Sequence, residues 1–226
     1  MVGSKWHEEA QKQWDSRADF WSKQSQVMWN SGSRSTIIPL FSKYIKDNSH
    51  ILDAGCGDGY GAYLLAELGH HVVGADLSVE MIEKATARND SENLSFIQGD
   101  LTALPFEDEA FSGIMAINSI EWTEVPLQAI SEMKRVMKPN GILCVGILGP
   151  TAGPRQHAYR RLYGDTVIQN TMMPWEFEQL VTENGWSLLD GQPVYKDSVN
   201  VATTKGLPKE LKQALSFMWV FILKKD

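Results

Sequence analysis

The sequence predicts an α/β protein whose mostly parallel sheet is covered by helices on both faces. Apolar runs of strand length alternate with amphipathic segments of helix length, which is the pattern of such a sheet. A glycine-rich turn directly follows the first strand. The predicted strands are 50–54, 71–76, 94–98, 111–118, 142–148, 186–191 and 217–224, and the predicted helices are 61–68, 79–88, 126–137 and 174–184.

Two segments lie outside this alternation. Residues 1–47 form a predicted helical extension, which we expect to act as a lid or cap on a domain spanning residues 48–226. Tryptophans recur in the extension at intervals of eight, seven and eight, and they share one face if the helix is continuous. These are Trp6, Trp14, Trp21 and Trp29. The second segment is an insertion at about residues 149–173.

Composition bounds the class of protein. A chain of 226 residues is long enough for one well-buried domain and too short for two full ones. The net charge of −7 argues against a protein that holds nucleic acid by its phosphates. Two cysteines make neither a disulfide framework nor a metal cluster, and no apolar run is long enough to span a bilayer. We therefore expect a cytoplasmic protein without metal or membrane anchor, acting as a monomer or homodimer.

The glycine-rich turn predicts the kind of ligand. Residues 51–61 read Ile-Leu-Asp-Ala-Gly-Cys-Gly-Asp-Gly-Tyr-Gly. Glycines allow the backbone to turn sharply and to approach a ligand closely. A dinucleotide fingerprint needs its third glycine one residue later than Gly59, and it needs a small residue where Tyr60 stands. Asp53 would repel a pyrophosphate but suits an ammonium group, which S-adenosylmethionine carries.

Further motifs follow in order along the chain, and together with the glycine-rich turn they make the sequence similar to a known family. They are Val-Val-Gly-Ala-Asp-Leu-Ser at 72–78, Gly-Asp-Leu at 99–101, Leu-Pro-Phe at 104–106, the segment from Phe111 to Ser119 and Arg-Val-Met-Lys-Pro-Asn-Gly-Ile-Leu at 135–143. The chain resembles the class I S-adenosylmethionine-dependent methyltransferases, in the small-molecule branch that includes the ubiquinone and menaquinone biosynthesis enzymes. This implies a Rossmann-like, seven-stranded sheet with an antiparallel last strand, S-adenosylmethionine as cofactor and S-adenosylhomocysteine as product.

The resemblance also implies roles for residues at the strand ends. Asp53 would hold the methionine ammonium directly or through water, and Asp76 would accept hydrogen bonds from the ribose hydroxyls, unless it only caps the next helix. Asp100 would accept from the adenine amino group, unless it is an ordinary loop residue. The remaining expected cofactor contacts are Gly55, Cys56, Gly57, Leu77, Met81, Leu101, Asn118 and Ser119.

The sequence says less about the residues that bind the methyl acceptor than about those that bind the cofactor. Glu121 and His157 are the candidate general bases, with a helix cap and a surface histidine as the respective alternatives. The expected acceptor contacts are Trp21, Trp122 and Tyr159. No Asp/Asn-Pro-Pro-Tyr/Phe motif follows the fourth strand, and no cysteine stands where a pyrimidine methyltransferase has its nucleophile. A small-molecule acceptor remains, with O, N and C all open as the methylated atom.

We therefore predict a methyltransferase that moves a methyl group from S-adenosylmethionine to a small molecule by in-line displacement. The alternative is a non-catalytic domain that binds S-adenosylmethionine for regulation. A nicotinamide oxidoreductase is disfavoured by the early Gly59 and by Asp53.

Overall fold

A single sheet organises the protein. The computed structural model describes residues 5–89 and 91–226, and the side chain of His157 lies outside the described part. Within these residues the sheet has seven strands in the order β3-β2-β1-β4-β5-β7-β6. The strands are β1 His50–Ala54, β2 His71–Asp76, β3 Leu94–Gln98, β4 Phe111–Ile117, β5 Met137–Leu148, β6 Trp186–Val194 and β7 Met218–Lys225. β7 pairs antiparallel with both β5 and β6, whereas the pairs among β1 to β5 are parallel. The predicted fold class, including the antiparallel last strand, is confirmed.

The core lies on both faces of the sheet because successive side chains of a strand point to opposite sides. Leu52 and Leu143 pack with the helices Pro126–Val136 and Pro174–Glu183 on one face. Their neighbours Ile51 and Cys144 pack with the helices Ile37–Phe41 and Tyr60–Glu67 on the other. All four side chains are fully buried. Burial on both faces explains why the central strands read as continuous apolar runs.

Helices cover the two faces, and local signals in the sequence set several of their ends. Ser78 accepts a hydrogen bond from the amide of Met81 and so caps the helix that begins at Val79, while Pro126 and Pro174 are the first residues of two further helices. The helices of the described chain are α1 Lys5–Asp15, α2 Ala18–Asn30, α3 Ile37–Phe41, α4 Tyr60–Glu67, α5 Val79–Arg88, α6 Pro126–Val136, α7 Gly153–His157, α8 Pro174–Glu183, α9 Val201–Thr204 and α10 Lys209–Leu215.

The N-terminal extension is not one continuous helix. A turn at Ser16 and Arg17 separates α1 from α2. Trp14 and Trp21 still meet across this break, with ring centroids 5.6 Å apart and the rings nearly perpendicular. Trp29 is instead buried against α4, where a Cβ on Gly61 would lie 2.5 Å from its ring.

The structure extends the predicted elements where pairing depends on distant residues. β5 begins at Met137 rather than at residue 142, because Met137 pairs with Phe111 across a register shift. β6 continues to Val194 because its last residues pair with the start of β7. The short helices α9 and α10, between β6 and β7, were not predicted.

None of the helices in residues 5–89 and 91–226 is long and apolar enough to cross a membrane. In the same residues no group of three or more His, Cys, Asp or Glu side chains is arranged to hold a metal ion.

Candidate active site

A cavity of about 230 Å³ opens at the carboxyl ends of β1 to β4. The strand order reverses between β1 and β4, and ligands of such sheets bind at this point. α1 and α2 contribute residues to the same cavity. Its lining is His7, Ala10, Trp14, Trp21, Met28, Ser33, Arg34, Gly55, Cys56, Gly57, Asp76, Leu77, Met81, Asp100, Leu101, Ile117, Asn118, Ser119, Trp122, Thr123, Leu148, Pro154 and Phe217.

The glycine loop after β1 forms one wall and is held by hydrogen bonds. The amide of Gly55 donates to the carbonyl of Ala75 at 2.7 Å, and the amide of Gly57 donates to Oδ2 of Asp76 at 2.8 Å. Gly55 has φ +80°, and a Cβ there would lie 2.2 Å from Cβ of Ser119. The loop therefore requires glycine, and it presents bare backbone to the cavity.

Asp76 is a partly buried acceptor at the end of β2. Its Oδ2 accepts from Gly57 and its Oδ1 accepts from the amide of Ser78 at 2.9 Å. Burial raises its pKa, and these backbone hydrogen bonds oppose the rise. Each carboxylate oxygen has a second lone pair, so Asp76 can still accept from two hydroxyl groups in the cavity.

Asp100 lies after β3 and connects the cavity to the N-terminal extension. Its Oδ1 accepts from the amide and the hydroxyl of Thr102, at 2.8 and 2.7 Å. Its Oδ2 lies 2.7 Å from Nδ1 of His7 in α1. The helix α1 is thus attached to the residue predicted to recognise adenine.

Asp53 lies beneath the loop rather than in the cavity lining. It is 3 % exposed, and its Oδ2 has no hydrogen-bond partner among the described residues. Burial raises the pKa of Asp53 to about 7, while the positive charge of Arg34 opposes this rise. Ala62 supplies a backbone hydrogen bond to the carboxylate, but the free Oδ2 suits a further, cationic partner.

Three tryptophans form an aromatic wall, which we define as Trp14, Trp21 and Trp122. Trp14 stands perpendicular to both others, with ring centroids 5.6 Å and 4.9 Å away. Nε1 of Trp122 donates to the carbonyl of Asn118, which fixes its ring beside the end of β4. All three residues line the cavity, so the wall offers flat apolar contact.

Glu121 does not line the cavity. It is fully buried, and its Oε1 accepts from the amide of Leu148 at 2.7 Å. Burial raises its pKa, and the hydrogen bond from Leu148 opposes the rise. Its carbonyl also accepts from the amide of Asn170, so the residue ties the end of β5 to the insertion. This position is that of a structural carboxylate.

The other residues predicted to contact the methyl acceptor do not all lie at the cavity. Trp21 and Trp122 line the cavity, whereas Tyr159 is 49 % exposed on the insertion and does not. The side chain of His157, the second candidate base, lies outside the described residues. Among the described residues of the insertion, Pro154 is the one that reaches the cavity lining.

Most of the predicted cofactor contacts are brought together. Apart from Asp53, all of them line the cavity, including Cys56, whose thiol has a pKa raised by burial and so stays protonated. Sequence reasoning assigned no role here to His7 or Arg34. No local motif marks either residue, because their neighbours in the cavity are distant in the sequence.

Comparison with known proteins agrees with this geometry. A methyltransferase domain family matches residues 52–145. The chain is 36 % identical over 110 residues to a demethylmenaquinone methyltransferase of Renibacterium salmoninarum, covering 48 % of this chain and 46 % of that protein. It is 33 % identical over 96 residues to a malonyl-[acyl-carrier protein] O-methyltransferase of Erwinia billingiae, covering 42 % and 38 %. The chain spans about half the length, or less, of the first curated relatives it matches.

Solved structures share the fold over most of the chain. One chain of the Haloferax volcanii complex that contains the Trm112 methyltransferase activator superposes with a TM-score of 0.72 at 17 % identity, covering 94 % of this chain and 97 % of that one. A SAM-dependent methyltransferase of Methanosarcina mazei gives 0.64 at 20 % identity, covering 83 % and 97 %. The strand order and the glycine loop of this chain agree with that fold, and its residues 52–145 match a methyltransferase domain family.

Proposed function

We propose that the protein transfers a methyl group from S-adenosylmethionine to a small-molecule acceptor bound in the cavity at the carboxyl ends of β1 to β4. The observation that carries this proposal is the gathering of the predicted cofactor contacts around one cavity of a methyltransferase fold. The named relatives, which methylate demethylmenaquinone or malonyl-[acyl-carrier protein], favour an acceptor outside the nucleic acids. We further propose that the protein acts in the cytoplasm as a monomer or homodimer.

The residues present fit the cofactor. The glycine loop leaves bare backbone where a Cβ at Gly55 would collide, and Asp76 retains lone pairs for the two ribose hydroxyls. Met81 and Leu101 give apolar contact for the adenine near Asp100. The unpaired Oδ2 of Asp53 offers negative charge for an ammonium, reached through water because Asp53 does not line the cavity.

The chain itself contributes positioning and a dry environment. S-adenosylmethionine supplies an activated methyl group on a sulfonium when it is bound. Asn118 and Ser119, at the end of β4, line the path between the cofactor site and the aromatic wall. The wall and α1 exclude water from this path, and alignment of the reactants with exclusion of water can supply much of the rate enhancement.

The carboxylates and the imidazole of the cavity lining lie at the ends of β2 and β3 rather than at the end of β4. Asp76 ends β2, and Asp100 with its partner His7 lies after β3. Arg34, with a pKa of about 10, and Cys56, whose pKa is raised by burial, also line the cavity but stay protonated at neutral pH. Neighbouring strands are about 4.8 Å apart, so the end of β3 is about 14 Å from the end of β4. We therefore propose an acceptor whose nucleophilic atom reacts without a general base in the described lining.

The aromatic wall also bears on the charge of the acceptor. Tryptophan faces attract cations, but these faces already carry guanidinium groups. Arg17 lies 5.8 Å and 6.0 Å from the rings of Trp14 and Trp122, and Arg34 lies 4.8 Å from the ring of Trp21. A cationic acceptor would meet two arginines and a sulfonium, so we propose a neutral or anionic acceptor with a flat apolar part.

A turnover screen tests the function. The protein would be incubated with S-adenosylmethionine and fractionated small metabolites, and release of S-adenosylhomocysteine would be followed by mass spectrometry. The function predicts release that depends on one fraction and fails in Asp76→Ala. Replacement of Trp122 by Ala should reduce turnover more than it reduces affinity for S-adenosylhomocysteine. Binding of S-adenosylhomocysteine without turnover in any fraction would instead favour the regulatory alternative.

A further inference from the structure

A second cavity lies next to the candidate active site. It has a volume of about 460 Å³ and is formed between the turn that joins α2 to α3 and the segment that runs from the end of β6 into α9. The turn contributes Gly32, Ser33 and Thr36 to its lining. None of the predicted cofactor or acceptor contacts is among its described lining residues, so the proposed function alone leaves this cavity without an occupant.

The two cavities are neighbours and share one residue. Ser33 lines both of them. Their walls are also linked through the backbone, because the amide of Phe217 in the first cavity donates to the carbonyl of Val194 in the second at 2.8 Å. A ligand that extends from the aromatic wall past Ser33 would therefore enter the second cavity.

The lining of the second cavity favours an uncharged, apolar occupant. Its two charged residues, Lys196 and Asp197, are exposed and of opposite sign. The hydroxyl of Tyr195 is shielded from solvent and adds no accessible polar group. Val201 is 56 % exposed, and an apolar ligand in the cavity would remove part of this surface from water. The aliphatic lining residues are Pro193, Val194, Val199 and Val201.

We propose that the second cavity holds an aliphatic tail of the methyl acceptor, whose methylated end lies at the aromatic wall. This inference rests on the proposed function, because the tail belongs to the acceptor of the same reaction. Nε2 of Gln192 donates to Oγ1 of Thr36 at 3.1 Å and so ties β6 to the turn, which fixes the two walls of the cavity in advance. The acceptor is then an elongated molecule with a flat head and an apolar tail.

A series of 4-alkylphenols tests this proposal by calorimetry. Phenol, 4-butylphenol, 4-hexylphenol and 4-octylphenol share a flat head and differ in the length of the tail. Each would be titrated into the full chain with and without S-adenosylhomocysteine. Every methylene that enters the second cavity should tighten binding by about four-fold, because its surface leaves water. An affinity that does not change with tail length would overturn the proposal.

Substitutions on the two walls show whether the tail occupies this cavity. Ser33→Trp places an indole where the cavities meet, and Val199→Asp places a charge in the second cavity. Each should flatten the dependence of affinity on tail length, and Val199→Asp should weaken 4-octylphenol by about ten-fold or more while leaving phenol unchanged. Ser31→Trp and Val125→Asp are the matched controls, since neither residue lines either cavity. Heat unfolding would check that each variant folds.

The results separate this proposal from the proposed function. The same dependence on tail length in wild type, Ser33→Trp and Val199→Asp would place the tail elsewhere and overturn the proposal, whether or not the protein turns over S-adenosylmethionine. If the cavity variants flatten the dependence but no metabolite fraction gives turnover, the second cavity remains a site for an apolar tail and the proposed function fails.

Discussion

At the scale of single residues, the site is built from carboxylates whose surroundings differ. Asp76 is held by two backbone amides, Asp100 by Thr102 and His7, and Asp53 has one oxygen without a partner. We propose that the three residues bind the ribose hydroxyls, the adenine amino group and the methionine ammonium respectively. Each assignment can be tested separately because the three carboxylates lie at the ends of different strands.

Asp76→Ala should weaken binding of S-adenosylhomocysteine by about ten-fold to more than a hundred-fold, because hydrogen bonds to a charged acceptor contribute about 1.5 to 3 kcal/mol each. The measurement is isothermal titration calorimetry. Asp19→Ala is the control, since Asp19 is exposed and pairs with Lys84 away from the cavity. An unchanged affinity in a folded Asp76→Ala protein would remove Asp76 from the ribose site.

Asp53 should make binding dependent on pH. Its pKa of about 7 lies above the ordinary value, so the ligand-free fold favours the protonated form. The stability that this group contributes is present below the ordinary pKa and is lost as the pH rises through about 7. A ligand ammonium reverses the preference by favouring the ionised form, so that binding releases a proton.

The affinity for S-adenosylhomocysteine should therefore rise by about ten-fold between pH 6 and pH 8. Calorimetry in buffers of different ionisation enthalpy would measure the proton released. Asp53→Asn should abolish both the release and this part of the pH dependence. A pH profile that is the same in Asp53→Asn and wild type would contradict the assignment of Asp53 to the ammonium.

At the scale of elements, the glycine loop and α1 have different parts in the site. The loop is fixed by its hydrogen bonds and by the close approach of Gly55 to Ser119. The helix α1 instead rests on the cavity through a few polar contacts. They include Trp6 to the carbonyl of Trp122, His7 to Asp100 and Asp15 to Ser78.

Gly55→Ala should destabilise the protein. A left-handed backbone costs an L-residue about 1–2 kcal/mol, and overpacking against Ser119 adds about 1–3 kcal/mol. Thermal unfolding should show a lower Tm and calorimetry a loss of cofactor binding. Gly153→Ala is the matched control, because a Cβ there meets no atom within 4 Å. Equal Tm values for the two variants would show that the loop tolerates a side chain.

We propose that α1 is the movable part of the predicted lid and that α2 is fixed. Ala10 is the buried residue of α1, whereas α2 buries Ala18, Ser25 and Trp29 against the domain. A variant lacking residues 1–16 should fold with little change in Tm but lose methyl transfer. In the full chain, S-adenosylhomocysteine should protect α1 from protease and change tryptophan fluorescence. Unfolding of the truncated variant, or cleavage indifferent to the ligand, would make α1 a structural helix.

Elements with local signals could be predicted from the sequence. The bounds of β1, β2, β3 and α5 agree with the structure, because apolar runs, Gly59 and the Ser78 cap mark them locally. The start of β5 at Met137 could not be predicted, since it depends on pairing with Phe111. Arg34 was missed for the same reason: Trp21, Trp29 and the loop after β1 meet only in the folded chain.

At the scale of the whole molecule, the ends of the sheet strands and the N-terminal extension together form the candidate site. The strand order reverses between β1 and β4, so the ends of these two strands are neighbours. The glycine loop after β1 and Asn118 after β4 therefore line the same cavity. The net charge of −7 and the neutral or anionic acceptor proposed above are compatible because Arg17 and Arg34 supply positive charge locally. Together these features favour S-adenosylmethionine over a dinucleotide as the cofactor.

The assignment of the cavity to S-adenosylmethionine is tested most directly by calorimetry. The full chain would be titrated with S-adenosylhomocysteine and, separately, with NAD. We expect S-adenosylhomocysteine to bind at one site per chain and NAD to give no heat of binding, because the glycine spacing at Gly59 and the buried Asp53 oppose a pyrophosphate. Binding of NAD with no response to S-adenosylhomocysteine would contradict the assignment of the cavity to a methyltransferase.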